Sequence, residues 1–251
     1  MVFAAAAAEN DLIRSNWNIY SWLLDFYKLE GTVSALWMLL LGVVMCMIIP
    51  YLIGSINPAI IVSKNVYHDD IRTHGSGNAG TTNTLRTFGK KTAAIIFICD
   101  MLKAVIAVVI GSILMRREMG GAIAGLFVIL GHMFPVYYGF KGGKGVASLA
   151  GVVLILSPIS FAILFPLFIV IVLMSRFVSL GSIMCVMLYP ILQYAFYGNN
   201  GWITISSVLI MILVVFMHRE NIKRLMAGKE SKISFSSKKK EEKADASDDN
   251  K

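Results

Sequence analysis

The sequence predicts an all-α integral membrane protein of about seven transmembrane segments, with its amino end outside and its carboxyl end cytoplasmic, and with short or broken helices around a site at the cytoplasmic face. Three observations carry this expectation. Of 251 residues, 57% are hydrophobic and only 15% charged, against roughly half and a quarter in soluble domains. The mean hydropathy is +0.70, and the apolar residues gather in runs of about twenty, the length a helix needs to cross ~30 Å of hydrocarbon. The Lys and Arg residues divide unevenly between alternate loops, which orients the chain. This composition excludes collagenous, coiled-coil, disordered and disulfide-framework classes. Cys46, Cys99 and Cys185 each stand alone in an apolar run without metal-ligand spacing, so they read as buried free thiols.

Along the chain, residues 1–31 form an amino-terminal extension, interfacial or flexible. Trp17, Tyr20, Trp22, Phe26 and Tyr27 near Asp25 and Lys28 suit a helix lying at the membrane surface. No basic segment precedes the alanine run, so a cleaved signal peptide is not expected. Residues 32–232 form the transmembrane domain. Its spans are expected at 32–54, 92–115, 120–139, 178–197 and 202–217, with 55–91 as a polar, glycine-rich connection. The apolar stretch 146–174 is too long for one crossing and is interrupted at Ser157-Pro158, so it reads as two shorter segments. Asp100 and Lys103, three apart inside the second span, are placed to neutralise each other. With this count, eighteen of the 23 Lys and Arg residues fall inside and four outside, Arg116-Arg117 being the local exception. Residues 233–251, with five bases and five acids, read as a disordered cytoplasmic tail.

The polar residues collect in three clusters on the same side. In the first, Gly75, Gly77 and Gly80 allow backbone N–H groups to converge. Ser76, Asn78, Thr82 and Asn83 add neutral donors, and Arg86 adds a charged fork. If the chain is helical from Thr81 to the Gly89 stop, the helix N-terminus adds positive potential there. A flexible linker is the plainer alternative, but linkers rarely combine so many hydrogen-bonding types with a matched arginine. The second cluster, Lys141-Gly142-Gly143-Lys144-Gly145, lacks the spacing and the preceding strand of a nucleotide-binding loop. It suits close approach of an anion to backbone and ammonium; taken alone, a short positive turn explains it equally well. His132, just before it, reads as a helix-packing group.

The third cluster, His218-Arg219-Glu220-Asn221, leaves the last span. His218 and Asn221 share one helix face, and Glu220 is expected to pair with Arg224 on another. A basic helix stop binding lipid headgroups explains the cations but leaves His218 and Asn221 without use. Ser179 and Ser182 begin a span nearby, where interhelical hydrogen bonding is the default and a substrate contact the alternative.

Together, Gly-Ser-Gly-Asn-x-Gly-x-Thr-Asn-x-x-Arg at 75–86, Phe-Lys-Gly-Gly-Lys-Gly-Val-Ala at 140–147 and His-Arg-Glu-Asn-Ile at 218–222 resemble the PlsY-type acyl-phosphate:glycerol-3-phosphate acyltransferase family of bacterial integral membrane enzymes. The resemblance covers roughly residues 52–232 and departs from the family at Asn57-Pro58, where the proline stands one place late, and at Ala104 in place of a glycine. It implies transfer of a fatty acyl group from acyl phosphate to the 1-hydroxyl of glycerol 3-phosphate, giving lysophosphatidic acid and phosphate, in a multi-pass protein of the bacterial plasma membrane. It assigns the site to Ser76, Arg86, Lys144, Ser182, His218 and Asn221. Contact with the enzyme that makes acyl phosphate stays open, and nucleic acid is not an expected partner.

The chemistry of the residues agrees. Two phosphorylated substrates, one with an acyl chain, need anion-binding loops at a membrane surface beside an apolar slot. An acyl phosphate is already activated, so positioning and charge stabilisation suffice and no acyl-enzyme is expected. No metal cluster or cofactor motif is present in the sequence, so neither is expected to take part. No His-x-x-x-x-Asp follows any of the four histidines. A transporter of phosphorylated solutes would also place broken helices and cationic loops near a cavity, but usually with internal repeats and a midplane site. A lipid-binding scaffold leaves the density of Ser, Thr and Asn unexplained.

Overall fold

The computed structural model describes residues 18–27, 33–198 and 200–233, and among them the only regular secondary structure is helical. A short helix α1 (Ile19–Tyr27) forms in the aromatic segment. Asn18 caps it, its side-chain oxygen accepting the Ser21 N–H at 2.9 Å. The rest of the expected extension, and the tail beyond Ile233, lie outside the described residues.

The apolar runs become α2 (Val33–Ser55), α5 (Lys90–Leu114), α6 (Arg117–Met133), α7 (Val146–Leu156), α8 (Pro158–Ser175), α9 (Val178–Tyr197) and α10 (Gly201–Met217), one helix at each of the seven expected segments. Short helices α3 (Pro58–Val66), α4 (Thr81–Thr87) and α11 (Arg219–Met226) stand beside them. By length and composition, five described helices can each cross a membrane, and α10 with α11, bent by 57° at their junction, makes a sixth. The stretch 146–174 breaks where Ser157 and Pro158 stand, the proline occupying the first turn of α8. Its first half, α7, has 11 residues and rises only ~16 Å, about half the hydrocarbon core.

The helices pack with their backbones close together. A Cβ on Gly54 of α2 would stand 2.2 Å from the Val128 carbonyl oxygen of α6, and one on Gly131 of α6 would stand 2.2 Å from that of Tyr51. Glycine at both places lets these helices touch without side chains between them. The core around Val128, Ile129, Val152, Tyr189 and Ile210 is fully buried. Trp37, Met174 and Ile191 stand on the outside, as expected of faces turned to lipid.

Two sequence expectations need correction. Residues 58–66, assigned to the polar connection, are helical: Asn57 accepts the Ile60 N–H at 3.1 Å, and Pro58 fills the first position, where no donor is needed. The late proline is therefore a helix start. Cys46 is buried as expected, but Cys99 is exposed on α5, because an apolar run in a membrane helix has an outer face as well as a packed one.

Candidate active site

The three polar clusters meet around one cavity of about 240 Å³. The first loop is built on Asp70. Its carboxylate accepts the Arg72 N–H at 3.0 Å and the Arg72 guanidinium at 2.7 Å, and the bonds from Arg72 hold its acid down at about 2. Arg72 also donates to the Tyr138 carbonyl at 2.9 Å, which ties the first loop to the second. Gly75 then turns with φ of +54°, and a Cβ there would stand 2.4 Å from Asn83 Oδ1. Asn83 was expected to offer donors to substrate. Instead its oxygen accepts the Ser76 N–H at 3.0 Å, and its nitrogen donates to the Ile71 and His74 carbonyls at 3.0 and 2.9 Å. Its amide is spent on bracing the cradle.

From this frame Ser76, Asn78, Gly80, Thr82 and Arg86 line the cavity, and Asn83 reaches its wall as well. Helix α4 starts at Thr81, as the sequence predicts, and ends before Gly89. Thr81 also lines the cavity, and its buried hydroxyl has no partner among the described residues.

The second loop brings Lys144 and Gly145 to the same wall. Gly75, Gly77, Gly142 and Gly143 do not line the cavity; they shape the loops behind it. Lys141 is exposed and also outside the lining, so the two lysines of this loop differ in kind. Burial pushes the Lys144 ammonium down to about 8, and the nearby Arg224 and Arg86 charges push the same way, against Glu230.

On the third side, α10 ends at Met217, and His218 and Asn221 turn inward, both buried. His218 Nδ1 lies 2.8 Å from the Val214 carbonyl. A carbonyl only accepts, so Nδ1 carries the proton and Nε2 keeps the lone pair. Burial lowers the ring to about 4, which keeps it neutral at physiological pH. Lys144 Nζ donates to Asn221 Oδ1. Glu220 pairs with Lys223 at 3.2 Å rather than with Arg224, whose Nε donates to Glu230 at 2.8 Å.

Glu230 is a site residue that sequence reasoning missed. One of its oxygens accepts from Asn221 and from Ser179, each at 2.7 Å, and the other takes Arg224. Burial favours its neutral acid, but these bonds outweigh that and hold the carboxyl below its usual range. The chain around it folds back over the cavity: Arg86 donates to the Ser231 carbonyl at 3.0 Å, and the Ile233 N–H to that of Arg176 at 2.9 Å.

Ser182 lies at the junction between this polar cavity and an apolar one, as do Phe97, Val146 and Phe168. The apolar cavity, of about 80 Å³, continues between α7, α8 and α9 past Leu149, Phe165 and Val186 to Tyr189. A cationic, donor-rich chamber therefore opens onto a greasy slot. That combination can hold phosphate groups at one end and a hydrocarbon chain at the other.

Residues 44–228 match the family model described as glycerol-3-phosphate acyltransferase. The chain is 46% identical over 190 residues to a glycerol-3-phosphate acyltransferase of Thermoanaerobacter sp. (strain X514), covering 76% of this chain and 95% of that one. It is 38% identical to the enzyme of that name from Bacillus subtilis (strain 168), over 77% and 98% of the two chains. Among solved structures it is similar to PlsY (YgiH), an integral membrane glycerol 3-phosphate acyltransferase. The glycerol 3-phosphate form is 36% identical with a TM-score of 0.70, covering 76% of this chain and 96% of that one. The lysophosphatidic acid form is 34% identical with a TM-score of 0.69, covering 76% and 95%.

Proposed function

The chain belongs to the PlsY family of integral membrane glycerol-3-phosphate acyltransferases, and on that premise we propose that it moves a fatty acyl group from acyl phosphate to the 1-hydroxyl of glycerol 3-phosphate, releasing lysophosphatidic acid and inorganic phosphate. The observation that carries this reading is the pair of cations, Arg86 and Lys144, in two glycine-rich loops around one cavity that opens onto an apolar slot. The Arg86 charge disfavours the charged form of Lys144, and a phosphate held between them would offset that effect.

In this reading the acyl chain lies in the slot and the reacting carbonyl sits near Ser182. The N–H groups and hydroxyls of the first loop, with Arg86 and Lys144, hold the phosphates. The glycerol hydroxyl donates to His218 Nε2. As its oxygen bonds to the acyl carbon, the proton passes to that nitrogen, or to a substrate phosphate oxygen, and the bond from the acyl carbon to the phosphate oxygen breaks. Phosphate leaves as a stable anion, so direct transfer needs no covalent stop on Ser76 or Ser182. The excess of Lys and Arg on alternate loops supports a cytoplasmic site in a bacterial plasma membrane, with residues 32–232 as the working domain.

The test uses purified full-length protein in detergent with acyl phosphate and glycerol 3-phosphate. Lysophosphatidic acid and inorganic phosphate should appear in equal amounts. Phosphate released without lysophosphatidic acid would mean hydrolysis and would sink the reading.

A further inference from the structure

Beneath the second loop lies a buried charged group that the reaction described above does not use. Asp100 and Lys103 on α5 meet His132 on α6, and all three are almost completely buried. Lys103 Nζ is 2.7 Å from Asp100 Oδ1, 2.9 Å from the Gly54 carbonyl, 2.6 Å from the Ile56 carbonyl and 3.0 Å from His132 Nδ1. An ammonium has three hydrogens. The carboxylate and the two carbonyls can only accept, so they take all three. His132 Nδ1 is then the donor in its 3.1 Å contact with Asp100 Oδ1, and Nε2 carries the lone pair.

The ring so fixed stands against the second loop. A Cβ on Gly143 would lie 2.1 Å from His132 Nε2, so the imidazole occupies the space that a side chain at 143 would fill. The His132 carbonyl accepts the Gly143 N–H at 3.1 Å, and the Met133 carbonyl accepts that of Gly142 at 3.2 Å. Gly142 in turn accepts the Ala79 N–H at 3.3 Å from the first loop. Asp100 and His132 also line the cavity itself.

We infer that His132, oriented by Asp100, is a positioning residue for acyl transfer: it sets the backbone of Gly142 and Gly143 and thereby the place of the Lys144 ammonium. A buried ion group of this kind adds little net stability, since desolvation offsets attraction. Its return is the fixed ring, which a purely apolar contact of the same shape would not orient. The inference rests on the acyl-phosphate reading above.

The experiment compares full-length wild type with His132→Asn, His132→Phe, Gly143→Ala, His132→Ala and the double variant His132→Ala with Gly143→Ala. KM and kcat are measured for both substrates, and folding is followed by thermal unfolding in detergent. Lys144→Ala run in parallel identifies the substrate whose KM depends on that ammonium. For that substrate, His132→Phe should raise KM at least tenfold with kcat changed less than threefold. His132→Asn, which keeps an N–H near Asp100, should stay within about threefold of wild type. A merely packing role predicts the reverse order, since Phe fills the space and Asn does not. Gly143→Ala should raise KM alone and add much less in the His132→Ala background, where the 2.1 Å approach to the ring is gone and only the 2.9 Å approach to the Ala79 carbonyl oxygen remains.

An unchanged KM in folded His132→Phe, or a full Gly143→Ala effect in the His132→Ala background, overturns the inference. If the His132 variants fail to fold, an unchanged KM in Gly143→Ala overturns it. Absence of lysophosphatidic acid in the wild type is a different result, and it defeats the acyl-phosphate reading instead.

Discussion

Raising the pH through the range where Lys144 loses its proton should switch off the enzyme while leaving its fold intact. The ammonium is pushed from 10.5 to about 8 by burial and by the Arg224 and Arg86 charges, a bias on the order of 3 kcal/mol against the charged form. Only the protonated form attracts phosphate. Below pH 8 the cation is present, and above it kcat/KM, which reports the free enzyme, should fall about tenfold per pH unit. Stability moves the other way. Between 8 and 10.5 the unfolded chain binds more protons than the folded one, so this group's contribution to stability rises with pH. The assay is initial lysophosphatidic acid formation between pH 6 and 10, corrected for alkaline loss of donor, with thermal unfolding measured in the same buffers. Lys144→Arg should lose the alkaline limb, because a guanidinium stays charged throughout. A profile flat to pH 10, or a limb that persists in Lys144→Arg, would refute the reasoning.

Three further outcomes follow from the same geometry. Arg86→Ala should lose roughly 10- to 100-fold in kcat/KM, the worth of a charge-assisted bond of about 1.5–3 kcal/mol, while an unaltered unfolding temperature shows that the exposed contact to Ser231 matters little for folding; normal kinetics would remove Arg86 from the site. Glu230→Gln should lower both the unfolding temperature and the rate, because it removes the charge that holds Arg224 and orders Asn221, at about 1–3 kcal/mol; thermal unfolding and initial rates check this together. His218→Gln should cost about 10²–10⁴ in kcat if the ring is the base. With the ring lowered to about 4, the wild-type rate should show no acidic limb from His218 between pH 5 and 7, and a limb near 6.5 that vanishes in His218→Gln would contradict the buried, neutral ring.

The seven apolar segments were legible because membrane helices advertise themselves by length and composition, and the break at Ser157-Pro158 by its proline. The three loops were legible because glycine, small polar residues and a cation are rarely combined without an anion to bind. What was hidden depends on contacts between residues far apart in sequence. Glu230 looks like one acid in a basic run until Gly228, with φ of +67°, turns the chain back and carries it to Ser179, 51 residues away. Its one local signal was a lone acid just past a helix-ending glycine. Asn83 looked like a free donor because its three bonds are made by a loop whose path only folding reveals. His132 reads as a packing group because its partners on α5 lie 29 and 32 residues away, beyond any local pattern. Asn57-Pro58 was a local helix-start signal that stood within a polar connection.

The central claim is the identity of the donor, and initial rates with acyl phosphate and with acyl-coenzyme A, at equal concentration and saturating glycerol 3-phosphate, test it most directly. The two glycine-rich loops around the chamber offer cradles of phosphate size, which suits a donor whose leaving group is phosphate itself. Rapid formation of lysophosphatidic acid from acyl phosphate, with acyl-coenzyme A inactive or nearly so, is the predicted result. Equal turnover with both donors would contradict the account, even with glycerol 3-phosphate as the acceptor.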